Sequence, residues 1–178
     1  MAYAFYATDN TYAIAAMVCA SMLRRAGARA EFVLVHLPLS RFVMSRLREM
    51  NFRTHLVTSL VRSPDWYYRD CLVKLQILRL TDYARVVYLD VDTFPLKSLD
   101  GFFTLPPGVP LMAPVAYWLP QPRWSSYLLV AAPSEELWRR VERRLARTPK
   151  HRSKEAFANW PTIRSDLPSV LTTTHANW

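Results

Sequence analysis

The run Val86-Val87-Tyr88-Leu89 is apolar and β-favouring, and it ends in two carboxylates, Asp90 and Asp92, with a single residue between them. This pattern places the pair at the carboxyl end of a buried strand, where open α/β sheets bind their ligands. Strand side chains alternate faces, so positions two apart can point the same way. With a turn at Asp92, both carboxylates converge on one hard cation. Mg²⁺ or Mn²⁺ suits such a site, held by one or two carboxylates together with phosphate oxygens. The chemistry implied is a metal site for a phosphorylated ligand. The same spacing also suits a strand-to-turn junction at which an Asp caps the next segment.

The elements that must position this pair are legible on both sides of it. Tyr3 to Ala7 reads as a first strand, and Asp9, Asn10 and Thr11 are helix-capping types. A helix follows from about Thr11 to Arg25, where Ile14, Met17, Val18, Ser21 and Met22 recur at helical spacing, and Gly27 stops it. Glu31 to His36 is a second strand. Ser40 caps a helix to about Met50, and a third strand lies near Thr54 to Thr58. A helix over Asp70 to Leu80 offers Leu72, Leu75 and Leu78 to the core, and Arg85 to Leu89 is the strand that leads into Asp90. Strand and helix alternating at this spacing predicts a parallel sheet with helices on both faces. Beyond Asp92, Gly108 to Val115 and Ser126 to Ala131 read as further strands among prolines, and Ser134 caps a long helix to about Arg147. Residues 148 to 178 suggest short helices around Ala156 and Ser169.

Composition narrows the class. A chain of 178 residues fits one domain. About half the residues are apolar and only three are Gly, which argues against disorder. Cys19 and Cys71 each sit in an apolar, helix-like segment and read as buried free thiols rather than a bridge, which favours a reducing compartment. No signal peptide and no membrane-spanning run is evident, so a cytoplasmic placement is expected for the chain as given, or the Golgi lumen for a fragment of a longer anchored protein. Much of the net charge of +9 is concentrated in Arg139, Arg140, Arg143, Arg144, Arg147, Lys150, Arg152 and Lys154. Such a run is most often a solvated helix face, and it also attracts anionic partners. No zinc finger, RNA-binding aromatic motif or helix-turn-helix pattern accompanies it, so no nucleic-acid partner is expected.

Four segments, in order, join Asp90 and Asp92 into a recognisable set. They are Thr8-Asp9-Asn10-Thr11-Tyr12, Val73-Lys74-Leu75, Val87 to Thr93 continuing to Leu99-Asp100-Gly101-Phe102-Phe103, and Trp124-Ser125-Ser126-Tyr127 leading to Pro133-Ser134. Over roughly residues 3 to 145 the chain resembles the glycogenin-like glycosyltransferases of family 8. The matching family patterns are Thr-Asn-Asp-x-Tyr, Thr-Lys-Leu, Asp-x-Asp-Thr and Phe-Asn-Ser-Gly. The resemblance implies a Rossmann-like nucleotide-diphospho-sugar transferase fold of the GT-A type, with a mostly parallel central sheet and flanking helices. It divides this single domain into a nucleotide-binding half over 1–100 and an acceptor and sugar half over 101–178, the latter incomplete relative to the family. It implies a retaining transfer of a hexose or pentose from a UDP-sugar to a carbohydrate or protein acceptor, with Mn²⁺ or Mg²⁺ as cofactor.

Carried over position by position, the resemblance makes Asp90 and Asp92 metal ligands, with Asp90 also on the nucleotide ribose. Tyr12 stacks on the base, and Tyr6, Thr8 and Asp9 belong to the nucleotide-binding set; read alone, Thr8 and Asp9 only cap a helix. Lys74 reaches the phosphates or the sugar as a point charge, or else snorkels from a helix flank. Ser125 and Ser126 lie where the family contacts the donor sugar, and Asp166 corresponds to an Asp that faces it, or else caps the segment before Pro168. Lys74, Ser126 and Asp166 form the candidate catalytic set. Of Arg62 and Arg69, beside a Trp-Tyr-Tyr cluster, Arg69 is the better candidate for the diphosphate.

The chain departs from the family in places. Asp9, Ser125 and Tyr127 replace the family's Asn, Asn and Gly, and a Tyr there crowds the start of its strand. Leu167 replaces a Gln after Asp166. The family's downstream His-x-x-Gly-x-x-Lys segment, which supplies a third metal ligand, has no counterpart before Trp178. His175 is the stand-in, since neutral imidazole ligates Mn²⁺; a surface histidine near a frayed terminus is the alternative. The expectation is a short or truncated relative, or an inactive one. Two other classes compete. One is an Asp-x-Asp phosphohydrolase with Asp90 as nucleophile. The other is a non-catalytic module whose basic helix docks on an anionic surface.

Overall fold

In the computed structural model, residues 1–58, 72–104, 108–118, 120 and 124–147 are described. Their strands are β1 (Ala2–Ala7), β2 (Glu31–His36), β3 (Phe52–Leu56), β4 (Val86–Leu89), β5 (Leu111–Met112) and β6 (Leu128–Ala131). The α-helices are α1 (Asn10–Arg25), α2 (Arg41–Glu49) and α3 (Glu135–Arg147). Leu72–Arg79 and Asp100–Thr104 wind as 3₁₀ helices. The strands form one six-stranded sheet in the order β3-β2-β1-β4-β6-β5. β1 to β4 run parallel, and β6 is antiparallel to both β4 and β5. The expected α/β architecture with flanking helices is therefore the one found.

Alternation along β1 divides the core in two. Tyr3, Phe5 and Ala7 face α1 and α2, while Ala2, Ala4 and Tyr6 face the Leu72–Arg79 segment and α3. Both sides carry a buried apolar cluster, as expected of a parallel sheet covered on each face. Capping fixes the helix ends. Asp9 Oδ1 accepts from the Thr11 and Tyr12 amides at 2.7 and 3.0 Å, and Ser40 Oγ from the Val43 amide at 3.3 Å. Gly27, at φ 87°, closes α1: its own amide donates to Arg24 and that of Ala28 to Leu23. Asn51, at φ 58°, does the same for α2.

Several expectations need correction. The buried face of α1 is Ala13, Ala16, Cys19, Ala20 and Leu23, whereas Ile14 and Val18 are exposed. Small residues face the sheet because they let the helix approach it closely; the bulkier aliphatics, though spaced correctly, lie outside. β3 begins two residues before the expected Thr54 and ends at Leu56. The described part of the Asp70–Leu80 helix is 3₁₀, with Leu72 through Leu78 all buried. Of the strand expected over Gly108–Val115, only Leu111–Met112 joins the sheet, and Val115 instead bridges to Trp124. Cys19 is buried and unbridged, as expected; Cys71 lies outside the described residues.

Candidate active site

The strand order reverses direction between β1 and β4. In such sheets the crevice outside the carboxyl ends of those two strands is the ligand site. The turns leaving β1 (Thr8, Asp9) and β4 (Asp90 to Thr93) open there. β6 runs antiparallel to β4, pairing Leu89 with Leu128, so its entry residues Ser125 to Tyr127 reach the same end of the sheet. Topology alone thus gathers three of the four segments singled out in the sequence.

The fourth comes from beneath. Lys74 projects from the buried 3₁₀ segment, and its Nζ donates to both oxygens of Asp90, at 2.8 and 3.1 Å, and to Ser126 Oγ at 3.4 Å. The Lys74 side chain is 5% exposed and that of Asp90 is 23% exposed. A lysine this deep is stable only with a charged partner and further hydrogen bonds. The rings of Tyr6 and Tyr88 flank it, each with its centroid 5.5 Å from Nζ, which adds cation–π attraction. Tyr88 also donates its hydroxyl to Asp90 Oδ1. Burial first, then the charge of Asp90, pushes the Tyr88 phenol well above its ordinary pKa, and Asp92 adds to the shift. Tyr88 is therefore a committed donor.

The turn after β4 is pinned by its own backbone. The Asp90 amide donates to the Tyr127 carbonyl at 2.8 Å, while the Thr93 hydroxyl and amide donate to the Asp90 carbonyl at 2.6 and 3.1 Å. Tyr6 continues the cluster outward, its ring centroid 5.9 Å from that of the more exposed Tyr12. Tyr6, Tyr12, Lys74, Asp90 and Ser126 are thus linked into one group. Asp92 is exposed in the turn. Thr8 sits at the end of β1, Asp9 serves as the α1 cap, and the amide of buried Ser125 donates to the Pro114 carbonyl at 2.8 Å. Asp166, His175, Arg62 and Arg69 lie outside the described residues.

Asp90 and Asp92 are hard oxygen donors on one turn, and the charge of each reaches Tyr88. That donor set fits a Mg²⁺- or Mn²⁺-sized cation whose remaining ligands are phosphate oxygens and water. Among the described residues no group of three or more His, Cys, Asp or Glu side chains is placed to hold a metal. Sequence reasoning missed Tyr88 and the clamp made by Thr93. The signal for Tyr88 was the two-residue spacing that singled out Asp92, read backwards along the strand.

No family model matches the chain. Glucose N-acetyltransferase 1 of Gibberella zeae is 26% identical over 163 residues, which is 81% of this chain and 36% of that protein. Its namesake in Aspergillus fumigatus is 29% identical over 153 residues, 75% of this chain and 39% of that protein. The chain thus spans well under half the length of these relatives. Glucose N-acetyltransferase 1-B of Kluyveromyces lactis is 45% identical over a shorter stretch of 47 residues, 26% of this chain and 10% of that protein. Among solved structures, the galactosyltransferase LgtC in complex with donor and acceptor sugar analogs superposes with a TM-score of 0.61 at 16% identity, covering 94% of this chain and 66% of that one. The glycosyltransferase GlyE of Streptococcus pneumoniae TIGR4 gives 0.66 at 16%, covering 94% and 44%. The fold is that of the GT-A glycosyltransferases. Among the described residues no helix is long and apolar enough to cross a membrane.

Proposed function

We propose that this chain carries the donor site of a metal-dependent retaining glycosyltransferase that moves a sugar from a UDP-sugar to an acceptor. The observation that carries the reading is the buried Lys74–Asp90 ion pair, flanked by Tyr6 and Tyr88, at the mouth of the β1/β4 crevice. Buried charge of this kind is costly to maintain and is concentrated at functional sites.

In this reading Tyr12 offers its exposed ring to the base, with Tyr6 behind it. Thr8 and Asp9 border the base and ribose. Asp90 and Asp92 would hold a divalent cation, which when bound supplies neutralising charge to the donor's diphosphate. Lys74 adds a fixed positive charge where negative charge grows as the sugar–phosphate bond breaks. Tyr88 and the Thr93 clamp keep the Asp90 carboxylate oriented. Ser126, held by Lys74, borders the sugar. The acceptor hydroxyl then attacks the anomeric carbon from the face the diphosphate leaves, and its proton passes to the departing phosphate. Retention follows without a protein nucleophile.

Calorimetric titration with UDP and GDP, with and without Mn²⁺, tests this directly. The expected result is UDP binding that requires Mn²⁺ and exceeds GDP binding. Because the relatives are named as acetyltransferases, acetyl-CoA is the control. Acetyl-CoA competing with UDP, or UDP binding indifferent to Mn²⁺, would overturn the reading.

A further inference from the structure

Beside the donor crevice lies a group of aromatic residues with no part in the scheme above. The chain leaves β5, forms an antiparallel bridge between Val115 and Trp124, and returns to β6 through the Ser125 amide bond to Pro114. Tyr117 and Trp118 occupy the turn of this excursion, where the Tyr117 amide donates to the Val115 carbonyl at 2.9 Å. They are 86% and 55% exposed. Their rings meet edge to face at 5.2 Å, and Trp118 lies against Tyr127 at 6.1 Å with planes 33° apart.

Large aromatic rings left in water are costly unless something covers them. Here Trp118 links Tyr117 and Tyr127 into one contiguous platform of rings rather than scattered apolar exposure. The platform is also continuous with the donor site. The Tyr127 carbonyl accepts from the Asp90 amide, and the adjoining Ser126 hydroxyl accepts from Lys74.

The geometry points to Trp118, with Tyr117 and Tyr127, as the acceptor subsite, binding a pyranose by its C–H face. A flat aromatic face covers the apolar face of a sugar ring, while phenolic hydroxyls at its edge hydrogen-bond the ring's hydroxyls; an aliphatic or charged patch offers neither. The assignment of this sugar as acceptor rests on the donor reading above. The binding of a sugar here does not.

Saturation-transfer NMR on the full chain, with UDP and the diamagnetic Mg²⁺ present, separates the two. The probes are the methyl glycosides of glucose, galactose, mannose and N-acetylglucosamine. At least one is expected to receive saturation, strongest on the ring protons of one face. Trp118→Ala should reduce that transfer at least fivefold and Trp118→Phe should keep most of it. UDP signals should be unchanged in both. Since Trp118 is exposed, circular dichroism should show both variants folded. Equal sugar saturation in Trp118→Ala, or none from any glycoside while UDP binds, would overturn the platform and leave the donor reading standing. Sugar saturation that depends on Trp118 without any UDP signal would support the platform and overturn the donor reading.

Discussion

Asp90 has more partners than a metal ligand needs. Lys74 and Tyr88 both address its carboxylate, so Asp90 is held in place before any ligand arrives. Asp92 lies in the turn two residues beyond. The Asp92→Asn variant should therefore weaken Mn²⁺-dependent UDP binding at least tenfold, about 1.4 kcal/mol, with little loss of stability. Unchanged UDP affinity in calorimetry would remove Asp92 from the site. Lys74→Met should behave differently. It strips the partner from a carboxylate that is largely buried, which costs roughly 2 to 3 kcal/mol, at the lower end for a buried pair because water reaches Asp90. Adding Asp90→Asn should recover part of that loss, and denaturant unfolding of the two variants checks it. If the single and double variants unfold alike, the pair does not stabilise the fold. The sequence displayed Asp90, Asp92 and Lys74 through their neighbours. It hid that Lys74 and Asp90 meet, because a contact across sixteen residues depends on the sheet and not on local pattern.

At the scale of elements, strand alternation and helix caps were readable because each is decided within a few residues. Ser134 is an example: its hydroxyl accepts from the Leu137 amide at 3.1 Å and starts α3 where expected. What escaped was the choice of face. In α1 the alanines won the sheet side from the isoleucine and valine, since depth of approach outweighed side-chain size. In α3 the division is cleaner. Leu137, Trp138 and Val141 are buried, and Arg79 lies 5.5 Å over the Trp138 ring. Arg139 and Arg143 face solvent. Leu137→Ala should cost about 2 to 5 kcal/mol and lower the melting temperature. The double change Arg139→Ala and Arg143→Ala should leave both stability and UDP-sugar hydrolysis within about 0.5 kcal/mol of the parent. Loss of hydrolysis in that variant would make the basic helix part of the site.

At the scale of the whole molecule, the βαβ rhythm foretold the parallel strands but not the strand order that puts β6 beside β4. That order brings Ser126 to Lys74, and it follows from long-range pairing between segments whose own patterns are short and broken by prolines. The same long-range pairing closes the opposite end of the sheet with phenols. Tyr3 donates to Asp100 at 2.6 Å and Tyr83 to Glu31 at 2.8 Å. Burial, then the hydrogen-bonded carboxylate, pushes the Tyr83 phenol up to about 12, and burial and Asp100 raise Tyr3 further. In the unfolded chain both titrate near the ordinary value of about 10. Above that pH the unfolded state has released protons that the folded state still holds, so alkali favours unfolding. The stabilisation is complete below about pH 10 and is lost as pH rises toward about 12, where Tyr83 itself ionises. Tyr83→Phe removes one of these groups, so its melting temperature should fall less steeply than the parent's across that window. Thermal unfolding followed by circular dichroism, with phenolate absorbance read in parallel, measures both slopes. Equal slopes would mean that the Tyr83–Glu31 contact contributes nothing to the closure of this end of the sheet.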